Sequence, residues 1–380
     1  MKTKIFFVAL VFCVCCCSPK GDGSVSEVIV NGNKMYVSSL NDLKADTVTI
    51  FLSSIVEDLE LVYLETKEEA YFKPWYTTVT DKYIGVRQQD RRPYMLFDRS
   101  GKFISPIGSI GRGPGEYMFS PYDDIIDDKN ELIYLAPFSG DRIFVYNTSG
   151  QFLRDIVAPH QLQGAKIFLS ENILTVVHMP LLNVNNALAF QFDVNTGELL
   201  EELAPPEYLL VPGFGGEIWN TKNVTGTFDF LNTQSDTLYH FDVKNNKILP
   251  FYRMTYSSSE NPYKLHYHLN KDIIVTYIFG KKGTVVTDLK NKTSSWTKVV
   301  NDFCGNINAY LAITMLRNGY FVHNLQPEEL MEIIENRLAE RSCTEQDRQI
   351  LNQTLSTLKE NANNVVFIGK LKSEVKSKLW

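Results

Sequence analysis

Few residues in this chain have the types and spacing that chemistry needs. His266 and His268 alternate along an apolar run and so face the same side, which would suit the first two ligands of a zinc ion. No third ligand follows at a matching spacing, so a partly exposed pair on a strand is the simpler reading. Asp123-Asp124 and Asp127-Asp128 lack the alternating Asp/Asn/Gly order and terminal Glu of a calcium loop and read as strand-end and turn acids. There is no Ser-His-Asp or Cys-His arrangement and no Walker-type phosphate loop, so no catalytic residue, metal site or cofactor is assigned. Recognition is better provided for. Arg112, Glu116 and Tyr117 lie in a glycine-rich stretch, where glycine brings backbone close to a ligand and arginine offers a planar fork of donors. The competing reading is a compact crossing between elements, with Glu116 bonded to nearby amides. Arg87, Arg91, Arg92 and Arg142 could recognise carboxylates or acidic sugars, against the simpler reading of solvated charges. Trp75, Trp219 and Tyr122 could stack on sugar rings, although aromatics at such positions usually belong to the core.

The elements that must position these residues are announced first by composition. The 380 residues are 44% hydrophobic and 22% charged, with 38 basic and 44 acidic groups. That is globular composition, and a formal charge of −6 without a Lys/Arg block excludes a protein that tracks nucleic-acid phosphates. Lys2 and Lys4 precede an apolar run from Ile5 to Val14, too short to span a bilayer of about 30 Å and suited to an export signal. Cys15, Cys16 and Cys17 follow, then Ser18, Pro19 and Lys20. The arrangement resembles the lipobox of bacterial lipoproteins, which implies a signal peptide over residues 1–16 and acylation of Cys17, with Cys16 or Cys15 as alternatives. Acyl chains on that residue would be the chain's hold on the membrane. Only Cys304 and Cys343 remain beyond it. They are either a disulfide or, more simply, two buried thiols.

Internal repetition decides the fold. An aromatic or small residue, then Asp or Asn, then a turn and an apolar run recurs with its acid or amide at Asp98, Asn147, Asp193, Asp242 and Asp288, spaced 49, 46, 49 and 46 residues apart. Such a side chain bonds its own backbone two residues on, and a following Gly or Asn accepts positive φ, so each copy encodes a tight turn between strands. Apolar runs upstream, such as Leu132-Ile133-Tyr134-Leu135 and Ile273-Ile274-Val275-Thr276, complete a four-stranded antiparallel sheet of about 47 residues per repeat. A lone sheet cannot bury both faces. Radial stacking can, and it predicts an all-β fold, a β-propeller.

Five complete copies occupy residues 72–300, and a sixth begins near 312 and resumes at Val365-Val366-Phe367-Ile368 without its last strand. The segment Leu59 to Leu64 is available to supply it, closing a six-bladed ring between the N- and C-terminal ends. Residues 326–361 interrupt the sixth copy with helical periodicity. Leu330, Ile334 and Leu338 form one stripe and Leu351, Leu355 and Leu358 another, with Pro327 in a first turn and a capping box from Thr344 to Asp347. The predicted organisation is a signal at 1–16, an anchor and extension at 17–54 with a possible hairpin turn at Asn31-Gly32, and a propeller at 55–380 carrying a helical insertion.

The run Gly111-Arg112-Gly113-Pro114-Gly115-Glu116-Tyr117, followed by Pro121, Asp127, Leu132-Ile133-Tyr134, Asp141-Arg142-Ile143-Phe144-Val145-Tyr146 and Gly150, resembles one NHL-type repeat. With Ile55 to Leu59 and Leu64 to Thr66 ahead of it, the chain is similar to the six-bladed β-propeller lipoproteins of Bacteroides and related bacteria. The resemblance implies an envelope location, here as an outer-membrane lipoprotein, and no agreed activity; the single acid closely following Cys17, Asp22, favours the periplasmic side. Strand order places the loops from 87–92, 108–117, 137–142, 179–186 and 214–216 and the helices on one face of the disc. The expected function is a non-enzymatic binding or interaction module for a glycan, peptide or envelope protein. The alternative is a metal-dependent NHL-like lyase or lactonase, which needs ligands converging on the axis from several blades.

Overall fold

The structure is a computed structural model and describes residues 24–43, 46–179, 181, 187–210, 217–224, 228–233, 235–257, 262–280 and 283–373. Cys17 and residues 214–216 lie outside the described residues. Sheets of antiparallel strands follow one another along the chain and make six blades, each running from an innermost strand beside the axis to an outermost one. Blade 1 comprises Pro74–Val79, Tyr83–Gln88, Tyr94–Asp98 and Phe103–Ile107. Blade 2 comprises Pro121–Asp127, Leu132–Pro137, Ser139–Asn147 and Phe152–Gln163, and blade 3 comprises Lys166–Ser170, Ile173–Val177, Ala189–Asp193 and Leu199–Leu203. Blade 4 has a short inner strand, Ile218–Trp219, then Phe228–Asn232, Thr237–Asp242 and Lys247–Thr255. Blade 5 comprises Lys264–His268, Ile273–Ile278, Thr284–Asp288 and Thr293–Asn301.

Each blade turns where the repeat requires it. Asp98 Oδ1 accepts the amides of Ser100 and Lys102 at 2.9 and 3.0 Å, and Asn147 Oδ1 those of Ser149 and Gln151 at 3.2 and 2.9 Å. Asp193, Asp242 and Asp288 do the same for Asn195, Asn245 and Asn291.

Blade 6 takes Leu316–Arg317, Tyr320–Leu325 and Val365–Leu371 from the end of the chain and its outermost strand, Val56–Tyr63, from the beginning. The closing pair is antiparallel, with Val366 opposite Val62 and Phe367 opposite Leu61. Asn363 fastens the joint by donating from Nδ2 to the carbonyls of Glu65 and Ala70 at 2.9 and 2.8 Å. The core lies between blades. Ile143, Val145 and Ile156 of blade 2 meet Ile167, Leu174 and Phe190 of blade 3, and each such side chain contributes about 1.5–3 kcal/mol by leaving water.

The N-terminal segment extends three outer edges in succession. Val25–Val30 and Asn33–Ser39 form a hairpin turning at Asn31-Gly32, both at positive φ, and its second strand adds in parallel to Lys247–Thr255 of blade 4. Thr47–Phe51 then adds in parallel to Thr293–Asn301 of blade 5, and Val56–Tyr63 completes blade 6.

Helices α1 (Pro327–Ala339) and α2 (Glu345–Thr357) join the second and third strands of blade 6. Thr344 and Asp347 form the capping box of α2, and Leu330, Ile334 and Leu351 are fully buried. The pair packs outward from the axis. Arg337 Nε donates to the Gly305 carbonyl, Asn306 Nδ2 to Asp347, and Tyr63 on the outermost strand of blade 6 meets Thr357 at 2.5 Å. The insertion thus rims blades 5 and 6. Cys304 and Cys343 are both buried free thiols. Burial pushes the Cys304 thiol up to about 11.

Candidate functional site at the mouth of the axial channel

Because the innermost strand of every blade runs along the axis in the same direction, the first residues of those strands share one end of the channel. This is the end carrying the longer connections. In blades 1, 2 and 4 the second residue of the inner strand is aromatic: Trp75, Tyr122 and Trp219. In blade 3 the first is Lys166. These side chains converge. The Trp75 and Tyr122 rings are 5.7 Å apart, and Lys166 Nζ lies 3.8 Å from the Tyr122 ring centroid and 6.0 Å from that of Trp219. A blade 3 side chain can touch blades 2 and 4 at once only at the axis. Trp75 is 36% exposed and Trp219 half-buried, so they meet solvent at this end of the axis, whereas Lys166 is 5% exposed.

Below the mouth a buried ionic network ties the ring together. Asp123 accepts Lys222 Nζ of blade 4 at 2.8 Å, Arg317 of blade 6, and the Ile167 amide of blade 3 at 2.8 Å. Asp124 pairs with Arg87 Nε of blade 1 at 2.8 Å and accepts the Tyr94 hydroxyl at 2.9 Å. Arg317 Nε also donates to Thr78 at 2.9 Å. After the inner strand of blade 4 the chain crosses the channel floor. Thr221 and Asn223 donate to the His268 carbonyl of blade 5 at 3.0 and 2.9 Å, and Asn223 Oδ1 accepts the Gly319 amide of blade 6. Lys222 sits at a positive φ of 57° on this crossing.

Charge is unbalanced here. Arg87, Lys166, Lys222 and Arg317 face two buried carboxylates. Burial works against ionising Asp123, but Lys222, Arg317, Lys166 and Arg87 outweigh it and hold its carboxyl far below the usual range. Asp124 is held down in the same way by Arg317, Arg87 and Lys222. Burial pushes Lys222 down to about 8, which leaves it protonated beside Asp123 at neutral pH. Lys166 differs. Burial, reinforced by Arg87, Arg317 and Lys222 and opposed by Asp123, pushes its amine well below the ordinary lysine value. Among the described residues its one hydrogen bond goes to the Tyr122 carbonyl, at 3.4 Å, and it makes no salt bridge. Trp219 Nε1, the Asn220 amide and Arg87 Nη2 are further buried polar atoms without a hydrogen-bond partner. Burial raises the phenol values of Tyr76 and Tyr122, and half-buried Glu217 adds to both shifts.

The residues singled out from sequence are dispersed. Arg112 and Arg92 are exposed, the latter's amide bonded to Ser120 Oγ. Glu116 folds onto its own loop and accepts the Gly113 amide at 2.8 Å. Tyr117 is buried, donating to the Ile107 carbonyl at 2.6 Å and accepting the Tyr94 amide at 2.8 Å. Arg142 is half-exposed between Asp141 and Asp155, at 2.9 Å from each. Arg112, Glu116 and Tyr117 share one loop, Arg92 is tied to Ser120 just beyond it, and Arg142 is paired with Asp141 and Asp155. Arg87 was expected in a loop, but it is within a strand and 1% exposed, stacked 4.3 Å from the Tyr76 ring. Asp123 and Asp124 are likewise axial ion-pair partners, where their sequence suggested strand-end acids. Asp127 does cap its turn, accepting the amides of Lys129 and Asn130.

His266 and His268 are fully buried, a correction to the partly exposed pair expected. His266 Nδ1 meets Thr276 Oγ1 at 3.0 Å, and His268 Nδ1 donates to the Asn270 carbonyl at 2.9 Å. Their Nε2 atoms face Asp236 and Asp229 at 3.4 and 3.3 Å. Among the described residues no group of three His, Cys, Asp or Glu side chains is placed to hold a metal ion.

Six sheets around one axis, closed between the first and last strands of the ring, define a six-bladed β-propeller. The chain belongs to the family described as a domain of unknown function, DUF4934, which matches residues 35–370. Its structure is similar to that of a Bacteroides fragilis protein described as exported, at 15% identity over 86% of this chain and 100% of that one, with a TM-score of 0.58. A member of the DUF4221 family from Bacteroides vulgatus is similar at 13% identity over 83% of this chain and 99% of that one, with a TM-score of 0.43. Virginiamycin B lyase from Staphylococcus aureus is similar at 12% identity over 63% and 73% of the respective chains, with a TM-score of 0.42. At such identities the likeness is one of fold. No curated protein matches the chain.

Proposed function

We propose that the protein is a non-enzymatic binding propeller of the bacterial cell envelope, anchored through acylated Cys17, and that it takes a glycan at the mouth of the axial channel. One observation carries the reading: Trp75, Tyr122 and Trp219 reach the same end of the axis from three blades, and the last two flank an amine without a salt-bridge partner. Flat aromatic faces match the C–H faces of sugar rings, and a partly exposed tryptophan loses little by being covered. Export is supported by the apolar run and cysteines at the start of the chain and by the Bacteroides fragilis fold relative described as exported. The cell envelope is where that export signal and lipid would leave it, and the periplasmic side suits the scarcity of acids just after Cys17.

Glycan-array binding of the purified chain, repeated with Trp75→Ala, tests this. Binding to at least one sugar class that falls about tenfold or more in the variant is expected, the loss being that of one stacking partner. A chain that binds no glycan, or binds equally well without Trp75, refutes the reading.

A further inference from the structure

Lys166 is a costly residue for its position. A buried ammonium is tolerated when a carboxylate and hydrogen bonds compensate it, and here the compensation is two aromatic faces and one long bond to the Tyr122 carbonyl. The two nearby buried carboxylates are already engaged by Arg87, Lys222 and Arg317. Trp219 Nε1 beside it is a donor without an acceptor. Lys166 Nζ, with one long bond, and Trp219 Nε1, with none, are donors that the two oxygens of a carboxylate would satisfy. Resting on the glycan reading of the mouth, we infer that the ligand is an acidic sugar, its carboxylate held by Lys166 Nζ and Trp219 Nε1 and its ring laid on Trp75.

The groups facing Lys166 define a second signature. Arg87, Arg317 and Lys222 disfavour its charge, Asp123 favours it, and Tyr122 and Trp219 supply π-faces, with Glu217 near the rim. Adding a carboxylate supplies the missing counter-charge and raises the amine's proton affinity, so binding at a pH above the resting value is coupled to proton uptake. A lysine kept only for packing produces no such uptake.

The test is calorimetric titration of the intact protein with trimers of galacturonate, glucuronate and mannuronate, a sialylated trisaccharide, and the methyl ester of each. Runs in two buffers of different ionisation enthalpy report proton uptake. At least one acid is expected to bind, about tenfold or more tighter than its ester, with proton uptake that disappears in Lys166→Met along with the preference. Equal binding of acid and ester, no proton uptake, or no binding by any of the four acids overturns the inference. Retained binding of neutral glycans with the Trp75→Ala loss then leaves the glycan reading standing, so the two failures are separable. Lys166→Arg, which keeps the charge, is expected to retain a preference for the acid.

Discussion

Replacing Lys166 with methionine asks whether the axial amine serves the fold or the ligand. The side chain keeps nearly the same length and its apolar contacts with Tyr122 and Trp219, so the change removes a charge and little volume. When protonated, the amine gains about 2 kcal/mol at most from the Tyr122 ring at 3.8 Å and little from a hydrogen bond of 3.4 Å. Burying a cation without a paired carboxylate costs several kcal/mol, and exchange of such groups for apolar ones is often stabilising by about 1–4 kcal/mol. Lys166→Met is therefore expected to gain about 1–3 kcal/mol at pH 7. The sign of the pH dependence follows from the lowered amine value in the folded state. Between that value and about 10.4 the unfolded chain holds the extra proton, so native stability climbs with pH by up to about 1.4 kcal/mol per unit. The advantage of the variant should shrink by that slope as pH rises through this window. Lys222 also carries a lowered value in both proteins, and loss of the Lys166 charge relieves it in the variant. Guanidinium unfolding at several pH values between about 6 and 9.5 measures the difference directly. A variant destabilised by more than about 2 kcal/mol, by an amount independent of pH, would show that Lys166 is a structural ion and remove the rationale for a ligand carboxylate.

The other cations should behave in the opposite way. Arg317→Met strips Asp123 and Asp124 of a shared partner and should cost about 3–5 kcal/mol in the same unfolding assay. Both carboxyls are lowered in the folded state, so their contribution is complete above about pH 4 and declines as pH falls below it. Acid titration of the wild type should therefore show a steeper loss of stability below that pH than Arg317→Met does. Gly85→Ala puts a Cβ 1.7 Å from Tyr94 Oη and 2.9 Å from Ile126 Cδ1, displacing the hydroxyl that bonds Asp124; a loss of about 3 kcal/mol or more in thermal or chemical unfolding is expected. Val62→Asp places a carboxylate in the core beside the closing strand pair and should cost about 3–5 kcal/mol, with limited proteolysis cutting first within residues 52–72.

The ring was legible because five of the six blades repeat one local necessity. Asp98, Asn147, Asp193, Asp242 and Asp288 each tie a turn through their own backbone, so the spacing of one residue type along the chain reports the blade period. Closure was legible by counting strands, since the sixth sheet lacked one that Leu59 to Leu64 could supply. The axial site was not. Arg87, Asp123, Lys166, Lys222 and Arg317 are scattered over more than two hundred residues, and each has the local look of a solvated charge. What unites them is position on or beside an inner strand, and only the register of all six blades shows that. A usable signal existed: aligned by inner strand, Trp75, Tyr122 and Trp219 occupy the same place. The N-terminal segment also went further than its pattern suggested, because parallel addition to an outer edge leaves no period in sequence.

That edge extension has a consequence for the order of assembly. Strands within residues 36–63 find their partners among residues 252–371, so this earlier segment cannot be seated until the later one exists. Pairings of such long sequence separation form late and slowly. Until then the outer edges of three neighbouring sheets present unpaired backbone, the template on which chains associate with one another. The strap laid over those edges is thus the final piece of the ring to dock, and the step at which self-association of nascent chains ends.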